Sequence, residues 1–72
     1  MIIFRCQNGL ALFRITRDRP SDSLQWHCLT DGSLGEGART PAGYEQLLKD
    51  MATKAVALRG SILQVLDLSE LI

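Results

Sequence analysis

Cys6, His27, Cys28 and Asp31 are the side chains whose types suit nucleophilic or metal chemistry. A Cys–His–Asp arrangement needs the imidazole within hydrogen-bond reach of the thiol. His27 and Cys28 are sequence neighbours. On a strand, neighbours point to opposite faces, so the base would not reach the nucleophile. A structural zinc site wants four ligands, commonly with a C-x-x-C pair, and the chain has two cysteines and no such pair. The cysteines therefore read as buried structural thiols ahead of a disulfide or a metal site. No metal or cofactor is expected.

The stretch DGSLGEG, residues 31–37, could be taken for a phosphate-binding loop. It lacks the G-x-x-x-x-G-K-[ST] pattern, contains no lysine, and does not match G-x-G-x-x-G. It reads instead as a glycine-rich connection. If the chain were a small enzyme or a subunit of one, Tyr44, His27 and Arg39 would be the polar groups beside that loop. A chain of 72 residues has little room for both a core and a substrate cavity. The expectation is therefore non-enzymatic.

Arg5, Arg14, Arg17 and Arg19 concentrate positive charge in the first 20 residues against Asp18 alone. Such a cluster could bind an acidic partner or phosphates, be neutralised by the acidic tail, or only be solvated. Overall, eight Lys and Arg balance eight Asp and Glu, which argues against strong nucleic-acid binding. Weak nucleic-acid binding through the N-terminal arginines is kept as an alternative. It has poor base-stacking platforms, because Phe4, Phe13 and Trp26 are expected to face inward.

These side chains must be held by one domain spanning residues 1–72, since a second would have too little core. Hydrophobic residues make up 46 %, ordinary for a globular protein, which argues against disorder. The opening MIIF meets Arg5 at once, too soon for a secretory leader or a membrane span. With two cysteines and no leader, the expected setting is cytoplasmic. No motif identifies a family.

The N-terminal segment, MIIFRCQNGLALFRITR, mirrors "FR" about "NG". Asn-Gly between alternating segments is a strong hairpin signal. With Asn8 and Gly9 as the turn residues, Arg5 pairs with Leu12 and Phe4 with Phe13. One face then carries Ile2, Phe4, Cys6, Ala11, Phe13 and Ile15. The other carries Ile3, Arg5, Gln7, Leu10, Leu12 and Arg14. The mirrored pair is thus aromatic inward, arginine outward, on two paired strands.

Residues 17–23, with Pro20, form a turn region. Residues 23–30 alternate as a third strand, with Leu24, Trp26 and Cys28 on the inner side. Thr40 is a good N-cap and Pro41 suits the first helical position. The pattern predicts a helix to about Arg59, stopped by Gly60 and about 28 Å long. Tyr44, Leu47, Leu48, Met51, Ala55 and Leu58 form its inner stripe, widened by Ala52 and Val56. Glu45 with Lys49 and Asp50 with Lys54 are favourable i,i+4 pairs. Residues 61–68 form a last strand, apolar on both sides as an interior or interface strand would be.

The expected fold is α+β in the order β-β-β-α-β, with one helix on one face of a four-stranded sheet. One helix cannot cover both faces. The uncovered face would carry Ile3, Arg5, Leu10, Leu12, Arg14, Leu63 and Val65. A small domain with an apolar second face buries it against a copy of itself or another protein. The sequence therefore points to a small protein-interaction module, an adaptor, regulator or inhibitor-like protein. A homodimer or another protein is its expected partner, and no membrane is involved.

Overall fold

The computed structural model describes residues 1–16 and 23–68. Its elements are β1 (Ile2–Cys6), β2 (Gly9–Thr16), β3 (Ser23–Cys28), β4 (Leu34–Ala38), α1 (Pro41–Arg59) and β5 (Ile62–Asp67). The class is α+β, as expected, but the sheet has five strands in the order β4-β3-β2-β1-β5, not four. All four pairings are antiparallel. The turn region at 17–22 and the tail at 69–72 lie outside the described residues.

The hairpin forms in a register two residues away from the expected one. Cys6 pairs with Gly9, Arg5 with Leu10, Phe4 with Ala11 and Ile3 with Leu12. The two-residue turn is Gln7-Asn8, and Gly9, at φ 128°, already belongs to β2. Among the described residues only glycines take positive φ, so Asn8 does not adopt the conformation that an Asn-Gly turn demands. The cause is tertiary. The Gln7 N–H donates to Ser61 O at 3.0 Å and the Asn8 N–H to Arg59 O at 2.9 Å, so the end of α1 takes up the turn. A shift of two preserves side-chain parity. The expected inner set therefore stays inside.

The fifth strand comes from the glycine-rich stretch, which is not a loop throughout. In β4, Gly35 pairs with Trp26 and Gly37 with Leu24, facing the covered side. A Cβ on Gly35 would overlap the Trp26 indole. On Gly37 it would come within 3.1 Å of Gly43 O and 3.3 Å of Leu47 Cβ in the helix. These glycines let an aromatic ring and a helix approach the strand.

Helix α1 begins and ends where its capping residues place it. Thr40 Oγ1 accepts from the Gly43 N–H at 3.0 Å, and Gly60 closes the C-terminus with its N–H on Val56 O. The helix packs across β4, β2, β1 and β5. Its Leu47, Met51 and Ala55 are buried against Ile2, Phe4, Cys6, Ala11, Phe13, Leu24, Trp26 and Cys28. Phe13 is the hub: its ring stands edge-on to Phe4 and to Trp26, each at 5.5 Å. Such contacts add about 0.5–1.5 kcal/mol each to the burial of the rings. Val56 does not widen the stripe as expected, because it lies on the open side and is 47 % exposed.

Candidate interaction surface

Pairing partners share a face, so the registers assign the uncovered side row by row. The central row is Leu66–Ile3–Leu12. On one flank runs Gln64–Arg5–Leu10, on the other Arg14–His27–Leu34, and beyond that Thr16–Gln25–Glu36. Leu10, Leu34 and Leu66 are exposed, while Ile3 and Leu12 are half-buried by their neighbours. Five apolar side chains thus stand on a face that α1 does not touch, with Arg5 and Arg14 on either side of the central row.

Five of the seven residues expected on this surface lie there: Ile3, Arg5, Leu10, Leu12 and Arg14. Val65 does not. It pairs with Phe4 and so belongs to the helix side, where it remains 52 % exposed because α1 does not reach over the edge. Leu63 is the extra residue of an irregularity between the Arg5–Gln64 and Cys6–Ile62 pairs. Such a bulge breaks strict alternation, which is why parity counted from Ile62 misplaced everything after it. Leu66 takes the place expected of Val65. Among the described residues the strand is also an edge strand, paired with β1 alone, and not an interior one.

Arg5 Nε donates to Gln64 Oε1 at 3.2 Å, along its own row. Arg17 and Arg19, the other cations of the N-terminal cluster, lie outside the described residues.

The other chemical candidates are dispersed. Cys6 and Cys28 are both buried free thiols on the covered face. They sit two strands and four residue rows apart, on the order of 16 Å by ordinary sheet spacings, far beyond disulfide reach. His27 points to the opposite face. Among the described residues no three His, Cys, Asp or Glu side chains come together as metal ligands. Arg39 and Tyr44 line an open depression of about 450 Å³ with Leu24, Thr40 and Pro41, away from His27. A smaller one of about 220 Å³ lies beside β4, lined by Gln25, Trp26, Leu34, Gly35 and Glu36. Neither depression pairs a nucleophile with a base.

Asp31, by contrast, is a fastening. Its Oδ1 accepts from the Ser33 N–H at 2.9 Å and from Ser33 Oγ at 2.7 Å, while Oδ2 meets Lys54 Nζ at 3.1 Å. The Ser33 backbone bond is the main reason its carboxyl titrates well below the usual range. Lys54 therefore ties α1 to the β3–β4 turn. It does not pair with Asp50 as expected; Asp50 accepts from Gln46 instead, at 3.0 Å. The expected Glu45–Lys49 pair stands at 4.0 Å, largely in solvent.

No protein-family model, curated protein or solved structure matches the chain. No helix among the described residues is long and apolar enough to cross a membrane.

Proposed function

We propose that this chain is a small non-enzymatic protein-interaction module that self-associates through its sheet. The observation that carries the reading is the uncovered face, where Ile3, Leu10, Leu12, Leu34 and Leu66 line a sheet that α1 covers on the other side only. Contiguous apolar side chains on a small domain are a recurrent mark of contact surfaces. Arg5 and Arg14 give the apolar centre a polar rim, the usual anatomy of a contact surface.

The test is Leu12→Glu. A carboxylate at the centre of a buried interface must be desolvated, at a cost of several kcal/mol unless it is paired. The variant should keep the circular dichroism of the parent and lose the assembly seen by size-exclusion chromatography with light scattering. A parent that stays monomeric at high micromolar concentration contradicts self-association. A Leu12→Glu variant that assembles like the parent removes the uncovered face from the reading.

A further inference from the structure

The edge strand β4 sets a carboxylate beside backbone groups that no described strand takes up. The Cys28 N–H donates to Ser33 O at 2.8 Å, at the start of the β3–β4 ladder. Bonding direction alternates along an antiparallel strand. Gly35 and Gly37 therefore bond toward β3, opposite Trp26 and Leu24. Leu34 and Glu36 turn their N–H and C=O groups outward, where the order of described strands ends. The start of α1 crowds the far end of this edge, since a Cβ on Gly43 would overlap Ala38. Beside the open length lies the depression of about 220 Å³. Three of its lining residues, Gln25, Leu34 and Glu36, are uncovered-side positions of the sheet. Leu34 and Glu36 are exposed, and Glu36 has no ion-pair partner among the described residues. That set suits a lysine or arginine, whose alkyl stem packs on Leu34 and whose cation meets Glu36.

We propose that β4 takes an extended segment of another protein as a further strand, with a lysine or arginine of that segment seated in the depression. Main-chain bonds to Leu34 and Glu36 supply affinity, and the basic side chain supplies selectivity. Charge argues against a second copy as the occupant. Its β4 brings another Glu36, and its β5 carries Asp67 and no cation. Like charges set across paired strands are unfavourable. An added strand lengthens the sheet and leaves its uncovered face open. The site therefore acts beside the self-association proposed above and does not depend on it.

The probes are acetyl-Thr-Val-Lys-Val-Thr-amide and the same peptide with glutamate at its centre, each titrated into the full chain at low salt. Trp26, the one tryptophan of the chain, lines the depression and reports occupancy by its fluorescence. The lysine peptide should bind about two- to fivefold more tightly than the glutamate peptide, and Glu36→Lys should reverse that order. At saturation, amide exchange should slow at Leu34 and Glu36 and stay unchanged at Gly35, which already pairs with Trp26. Leu12→Glu should bind the lysine peptide as the parent does, whatever that variant does to self-association. Equal affinities for the two peptides, or no binding at millimolar concentration, overturn the proposal. Protection of Leu34 and Glu36 that rises with chain concentration alone overturns the occupant, because a second copy then fills the edge.

Discussion

Leu12 and Phe13 are neighbours on β2 and lie in opposite environments. Phe13 is fully buried, edge-on to two other rings and covered by α1. Leu12 stands on the uncovered side, half-buried only by its sheet neighbours. The strand makes the same backbone demands of both. The difference lies in what packs above each face: a helix with a three-residue buried stripe on one side, and no described element on the other. One face has already used its apolar surface to hold the fold together. The other still has it available, and that asymmetry carries the functional reading.

The contrast is broken most severely at Phe13. Phe13→Glu places a carboxylate among Phe4, Trp26 and the helix, with no cation to pair it. Burying an unpaired charge costs several kcal/mol, against a total on the order of 5–10 kcal/mol for a domain of this size. The variant should be unfolded at room temperature by circular dichroism. Leu12→Glu, one residue away, should shift stability by no more than about 1 kcal/mol, as surface substitutions do. Equal denaturation midpoints for the two would mean that the faces are wrongly assigned.

The faces were legible in the sequence because parity survives errors that registers do not. Asn8-Gly9 carries the strongest local turn signal in the chain, yet the turn sits at Gln7-Asn8, since the end of α1 bonds those two amides. Nothing local encodes that contact. The displacement was two residues, so every inner residue of the hairpin stayed inner. On β5 the bulge at Leu63 adds a single residue, and there the assignment of Val65 failed. Strand β4 was illegible for another reason. Its two glycines read as loop residues because the Trp26 ring and the helix turn that need them come from elsewhere in the chain. Thr40, Pro41 and Gly60, whose roles are local, placed the helix without error.

A smaller effect is expected where the helix is fastened to the sheet. The Asp31 carboxyl is held ionised by Ser33 and Lys54, so its pKa is depressed on folding. A depressed carboxylate contributes stability above its unfolded pKa of about 3.9, and that contribution is lost as pH falls from there toward the folded value. Parent and Asp31→Asn should therefore differ in thermal midpoint at pH 6 and converge as the pH is lowered below about 4. A difference that stays constant with pH would show that Asp31 acts through its turn geometry and not through its charge.

The finest test of the uncovered face uses the register itself. Arg5 lies directly opposite Leu10, and Leu12 lies opposite Ile3. A glutamate at position 10 would thus face the Arg5 guanidinium across the strands, where an exposed pair is worth roughly 0.2–1 kcal/mol. A glutamate at position 12 reaches Arg5 only on the diagonal, where coupling is weaker. Arg5 must also give up its 3.2 Å bond to Gln64, which lowers the net gain. Double-mutant cycles with Arg5→Ala should give a larger coupling for Leu10→Glu than for Leu12→Glu. Molar salt should abolish both, since the Debye length falls to about 3 Å. If instead the position-12 variant couples more strongly, the hairpin pairs around Asn8-Gly9 in solution. The faces would be unchanged by that result, because the two registers differ by an even step. It would, however, put Leu12 beside Arg5 and give the apolar row a charged neighbour at its centre. The patch would then be divided, and the case for an apolar contact surface would weaken with it.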